Sequence, residues 1–244
     1  MLWPTALALS VAGSVGGLLT AGLLLASGRA VRERVVPWLI SYAVGTLLGA
    51  ALLGLVPQAL EQLPPTAALG ALLAGILTFF VLEKLVLWRH CHEEAGDCAV
   101  HKSTATMVIV GDAVHTFVDG AVIAAAALVS LPLGLTTALA IVAHEIPQEA
   151  GDFAVLLAAG HTRSRALFLN LTSALGGLAG ATAMLLFGSG TPAAVPYVLG
   201  FAAGNFLYVA MADLIPTLHR GGVDRNAVRQ FVLITLGVLT IVAL

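Results

Sequence analysis

The sequence predicts an all-α membrane protein, a polytopic bundle of eight transmembrane helices forming a single domain over residues 1–244, and three observations predict it. The first is composition: 59% of residues are hydrophobic and 10% charged, with a mean hydropathy of +1.00, whereas a soluble domain carries roughly 25% charged residues. The second is segmentation. A membrane helix needs about 20 mainly apolar residues, and such stretches occur at 4–27, 37–60, 66–88, 105–129, 132–159, 166–187, 192–217 and 227–244. The third is where the basic residues fall. All eleven Lys and Arg lie in four groups: Arg29, Arg32 and Arg34; Lys84, Arg89 and Lys102; Arg163 and Arg165; Arg220, Arg225 and Arg229. These mark alternate connections, as expected of cytosolic loops, so both termini are expected outside. A net charge of -2 without any other basic run gives no reason to expect nucleic acid as a partner.

The first span has no basic segment before it and runs longer than the roughly 7–15 apolar residues of a signal peptide, so it is expected to stay as a helix. The second and seventh spans share a pattern. GTLLGAALLGLVPQAL from Gly45 and GNFLYVAMADLIPTLH from Gly204 agree at Gly45/Gly204, Leu48/Leu207, Ala51/Ala210, Leu55/Leu214 and Pro57/Pro216. Five identities between Ala-, Gly- and Leu-rich segments can arise by chance. The two helices are nevertheless expected to run in opposite directions, the relation of an inverted repeat such as secondary transporters use. The expected arrangement is therefore 3+2+3, with the fourth and fifth spans between the repeats.

Those two middle spans hold the polar residues. An ionisable group at membrane depth costs on the order of 2.5–3.5 kcal/mol on insertion scales, so it needs a partner or a water-filled path. In GDAVHTFVDGAVIAAA, Asp112, His115 and Asp119 are spaced i, i+3, i+7 and share one stripe of a helix. In AHEIPQEAGDFAVLL, His144, Gln148 and Asp152 form one stripe, and Glu145 and Glu149 another about 100° round. Counted from a hairpin tip near Leu131, His115 lies sixteen residues back and His144 thirteen forward. At ~1.5 Å per residue their depths agree within about 5 Å. One buried His is ordinary packing. Two His, a Gln and up to five carboxylates on adjoining helices point to a metal site. Imidazole with carboxylate suits zinc, and also iron or manganese; such mixed ligands let an ion leave, as a closed four-cysteine cage would not.

Pro147, between His144 and Gln148, leaves the carbonyl of Ala143 without an intrahelical donor. It is either an ordinary kink or a means of opening backbone at the site. The connection at 89–104 is expected to be a cytosolic loop, and His90, Cys91, His92, Cys98 and His101 in it supply zinc-type ligands at a spacing that matches no structural zinc motif. Cysteines there are expected to be reduced. The loop is either simply polar or an accessory site that receives or senses metal. Asp112, Asp152 and Asp213 are further candidates for an accessory site or pathway.

HTFVDG in the fourth span is similar to HNFxDG, and HEIPQEAGDFAVLL in the fifth to HExPHExGDFAxLL, of the ZIP family (Zrt-, Irt-like proteins) of metal-ion transporters. The resemblance continues through VGTLLGAALLGLVPQAL, NLTSALGG and AGNFLYVAMADLIP, hence most of the chain. It implies eight helices, outer termini, a binuclear site between the fourth and fifth, and uptake of Zn2+ toward the cytosol, with Fe2+, Mn2+ or Cd2+ as other cargoes. By position it assigns His115, Asp119, His144, Glu145 and Gln148 to the metal site, with Glu149 the adjoining carboxylate. Departures are Thr116 for Asn and Gln148 for a second His. In addition, Ala50 and Gly54 replace a frequent Asp and His, and Thr217 a frequent Glu. They bear on the second metal position and on cargo preference.

The expected partners are the lipid bilayer and divalent metal ions, with a homodimer left open and the plasma or cell inner membrane as the location. An intramembrane metalloprotease is the competing enzyme reading, because residues 144–148 occupy the frame of H-E-x-x-H. Gln148 is a poor zinc ligand and Pro147 interrupts the helix between the pair, so no enzyme is expected. A metal-selective channel is the nearer alternative, against which the inverted repeat argues.

Overall fold

The computed structural model describes residues 2–90, 97–219 and 225–244. The described chain is all helical and makes eight rods. They are α1 (Leu2–Ala26), then α2 (Arg29–Gly49) running through a π-helical segment Ala50–Leu55 into α3 (Val56–Gln62), α4 (Pro65–His90), α5 (Asp97–Val129), α6 (Leu131–Ala158) and α7 (Arg163–Gly190). A seventh rod is α8 (Val195–Tyr208), π-helical Val209–Leu214 and α9 (Ile215–Leu218), and the eighth is α10 (Arg225–Ala243). Six of the rods are long and apolar enough to cross a bilayer. The polar stripes interrupt α6, and α10 offers a shorter apolar stretch, Ala227–Ala243.

Helical backbone enters the segment expected to be a loop, since α4 reaches His90 and α5 begins at Asp97. Residues 97–110 contain neither Gly nor Pro to stop it. Cys91 and His92 lie outside the described residues, as do the side chains of His90, Cys98 and His101.

Local chemistry sets the hairpin that carries the polar stripes. Ser130 leaves the helical region and its side chain accepts from Leu133 N at 3.2 Å, with Pro132 in the first turn, so α6 starts immediately after α5 ends. Gly160, at φ 87, closes α6. Its N–H bonds to Leu157 O and that of His161 to Leu156 O, the paired bonds that satisfy orphan carbonyls at a helix end.

Lipid offers no hydrophobic force between helices, so close contact relies on small residues. A methyl group at Gly120 would meet Gly177 O at 1.8 Å, and one at Gly180 would meet Phe117 O at 1.8 Å, so α5 and α7 touch backbone to backbone. Helices α1, α5, α6 and α7 pack together, while α2 pairs with α10 and α4 with α8. These last two pairs are built alike. Gly45 abuts Ile234 O and Gly237 abuts Tyr42 O; Gly204 abuts Leu72 O and Gly75 abuts Phe201 O.

The two π-helical segments stand at the same offset of 159 residues as Gly45 and Gly204. In each, the residue before the proline bonds back five positions, Val56 N to Ala51 O and Ile215 N to Ala210 O. Pro57 and Pro216 have no N–H of their own to give, and the wider turn sits where the ladder is already broken.

Candidate metal centre

Helix α5 is held against α7 by Thr116, whose Oγ1 donates to Ser173 O at 2.9 Å and approaches its own helix at Asp112 O, 3.0 Å. Gly17 on α1 lies so close to Glu145 that an added Cβ would stand 2.7 Å from the Glu145 Cβ. Small residues on α1 thus let α6 press inward. With both helices fixed, the side chains expected from the two stripes meet.

His144 is 2% exposed and its Nδ1 lies 3.1 Å from Ala140 O. A carbonyl only accepts, so Nδ1 donates to it and Nε2 is the nitrogen left to face the cluster. That Nε2 lies 3.2 Å from His115 Nε2 and 3.3 Å from Asp119 Oδ2. His115 Nε2 is in turn 3.5 Å from Asp119 Oδ2 and 3.6 Å from Glu145 Oε1, and Glu145 Oε1 is 3.9 Å from His144 Nε2. Ligand atoms about 2.0–2.2 Å from a tetrahedral ion stand roughly 3.3–3.6 Å from one another. The separations between the four side chains, 3.2–3.9 Å, come close to that spacing.

The carboxylates call for cations or protons. Both oxygens of Asp119, Glu145 and Glu149, and Oδ1 of Asp112, are buried without a hydrogen-bond partner among the described residues. Left so, each would forfeit several kcal/mol of solvation; cations or protons among them offset that loss. Asp112, Glu145 and Glu149 form a second group whose ligand atoms lie within 4.8 Å of one another. Glu145 belongs to both, so the two positions adjoin across it.

A cavity of about 660 Å3 leads to this centre, lined by His115, His144, Gln148, Asp152 and Asp213 among others. Gln148 lines it together with His115 and His144, Asp152 lies outside the compact four-residue group, and Asp213 is exposed farther along it. On α5 the wall is built from residues 110–115 and on α6 from 144–152, the halves of those helices away from the Ser130 turn. Toward the turn, residues 122–127 of α5 are all buried, packed with Ala140, Ile141, Leu199 and Ala203. The centre is therefore open toward the basic connections and sealed by apolar packing on the other side.

Several contributors escaped the sequence reading. Ser173 Oγ donates to Asp112 Oδ2, Asn170 is buried beside the cluster, and Tyr208 OH donates to Glu83 in the cavity wall. The i, i+3 spacing of Asn170 and Ser173 on an apolar helix was a usable signal, as was Glu83 near the end of an apolar span.

The family description "ZIP Zinc transporter" matches residues 87–244, well over half of the chain and all of this centre. The chain belongs to the ZIP family. It is 35% identical to Zinc transporter ZIP13 of Pongo abelii over 89% of this chain and 70% of that protein. Against Zinc transporter ZIP13 of Homo sapiens it is 32% identical over 89% of this chain and 74% of that protein. Zinc transporter ZIP4 of Rattus norvegicus is 46% identical over 46% of this chain, equal to 17% of that much longer protein. The ZIP resemblance read from the two motifs is thereby shown, and the protein is an integral membrane transporter with a buried His, Asp and Glu cluster, not a protease.

Proposed function

We propose that this ZIP protein carries zinc across the bilayer toward the cytosol, binding it between His115, Asp119, His144 and Glu145, with the adjoining position at Asp112, Glu145 and Glu149. The observation that carries the reading is the convergence of two imidazole Nε2 atoms and two carboxylates, from antiparallel helices, on one ion-sized space at the floor of an open cavity. The plasma or cell inner membrane is proposed as its location, where transport toward the cytosol is uptake from outside the cell. The matching π-helical segments and the matching glycine contacts of α2 with α10 and α8 with α4 support an inverted repeat, and with it a carrier with both termini outside. Flux into proteoliposomes, with zinc, iron, manganese and cadmium in competition, tests this. Saturable zinc flux is expected; flux linear in concentration would replace the carrier by a channel, and absence of zinc flux would overturn the function.

Gln148 offers an amide oxygen at the cavity wall beside the four-residue group. An imidazole there favours zinc over harder ions, so Gln148→His is expected to raise the preference for zinc over manganese several-fold. Lower maximal velocity is expected alongside, since tighter binding slows release. Competition curves of zinc against manganese check it; superimposable curves would place Gln148 away from the passing ion.

The segment at 89–104 is proposed as a receiving or sensing site on the cytosolic side. Replacing Cys91, His92, Cys98 and His101 together is expected to leave at least about half of the flux while weakening metal binding to the cytosolic face. Complete loss of flux in a normally inserted variant would make the segment part of the pathway itself.

A further inference from the structure

At the end of the bundle that carries the basic connections, two arginines from different helices close on one indole. Arg34 Cζ on α2 lies 5.6 Å from the centroid of Trp38, and Arg229 Cζ on α10 lies 5.4 Å from it, both within the roughly 6 Å of a cation–π contact. Neighbouring Arg32 is differently engaged. Its guanidinium donates to Leu25 O at 3.0 Å and Ser27 O at 2.7 Å, carbonyls left over at the end of α1. Arg34 and Arg229 have no such acceptors among the described residues. Arg229 Nε and Trp38 Nε1 are in addition shut off from solvent with no hydrogen-bond partner among the described residues. Two like charges on one ring and two buried donors without acceptors among the described residues make a cluster suited to an anion.

The surface beside it identifies the kind of anion. On α10 and α2, Val228, Phe231, Val232 and Val31 are 69, 70, 55 and 49% exposed, an apolar strip that begins at the arginines. A free phosphate would gain nothing from that strip, whereas the acyl chains of a phospholipid would cover it. We propose that Arg34, Trp38 and Arg229 form a headgroup site for an anionic phospholipid. The phosphate takes the two guanidinium forks, which suit paired oxygens. Because α10 packs chiefly on α2, the phosphate ties the outermost helix to the bundle.

Each basic residue near an anionic membrane surface is worth about fivefold in partitioning, so the pair is worth roughly 25-fold. Native mass spectrometry of the full chain, released from detergent with phosphatidylglycerol or phosphatidylcholine, should show retained phosphatidylglycerol in the wild type. Retention should fall by about that factor in the double variant Arg34→Gln, Arg229→Gln. A second measurement leaves the site intact. With Trp3 and Trp88 replaced by Phe, fluorescence of Trp38 should be quenched several-fold more by brominated phosphatidylglycerol than by brominated phosphatidylcholine in vesicles. Equal quenching by the two lipids, or undiminished phosphatidylglycerol retention in the double variant, overturns the site. Displacement of the lipid by millimolar inorganic phosphate overturns the assignment of a lipid as its occupant.

Discussion

Zinc uptake by His144→Ala and by His115→Ala is expected to fall to the background of cells lacking the protein, with insertion into the membrane retained. Each change removes one of two imidazoles from a group of four ligands. Even the loss of a residue that merely orients a ligand costs about 10–100-fold in metal affinity, and loss of the ligand itself costs more. The structure separates this loss from unfolding. His115 keeps 12% side-chain exposure at the cavity floor, so its truncation widens an existing space. His144 is enclosed and bonded to Ala140 O, and its truncation adds a cavity cost of a few kcal/mol. Uptake normalised to surface protein is the measurement, with His115→Ala as the cleaner of the two. Uptake at the wild-type level in both variants would remove the two histidines from the ion's path.

The second large effect concerns packing. Gly180→Ala is expected to prevent the bundle from assembling, seen as loss of the monodisperse peak in size-exclusion chromatography. The added methyl would lie 1.8 Å from Phe117 O and 2.8 Å from its carbon, atoms of backbone that no rotamer change can move aside. Relief requires α7 to draw back from α5 by more than an ångström along a contact that also includes Gly120, Gly176 and Gly177. The same substitution at Gly22 or Gly70, where the space is open, should be neutral or stabilising, because Gly in a helix interior costs about 0.5–1 kcal/mol relative to Ala. Opposite signs for one chemical change would locate the effect in the α5–α7 contact. A Gly180→Ala protein as stable as the Gly22→Ala protein would show that the two helices are not in backbone contact.

Much of this architecture was legible because membrane solvation acts locally. A stretch of about 20 apolar residues has few options in lipid other than a helix, so eight rods follow from the text alone. Spacing along α5 and α6 put Asp112, His115 and Asp119 on one stripe and His144 with its neighbours on another, and the turn at Ser130 matched their depths. Periodicity could not assign a group to the ion or to the wall. The helical period puts His144 with Gln148 and Asp152 on one stripe and Glu145 on another; in the folded chain Glu145, a step round the helix, joins His144 in the four-residue group, as the family motif implied. Ser173 and Asn170 were missed for a related reason. Their meaning depends on α7 lying against α5, a contact made by glycines whose partners are backbone atoms.

The sequence by itself determined the helical class, the rod count and the family, since each rests on local composition or on a contiguous motif. Only the tertiary structure decided that Glu145 belongs to both buried clusters, that Gln148 lines the same cavity as His144, and that the cavity opens on the side of the basic connections. The physical reason is that these depend on the rotation of α6 about its axis and its distance from α1 and α5. Gly17 beneath Glu145 sets the approach of α6 to α1, while Thr116 bonded to Ser173 O and the backbone contact at Gly120 fix α5 against α7. Such contacts join residues far apart in the chain, and no window of sequence contains both partners.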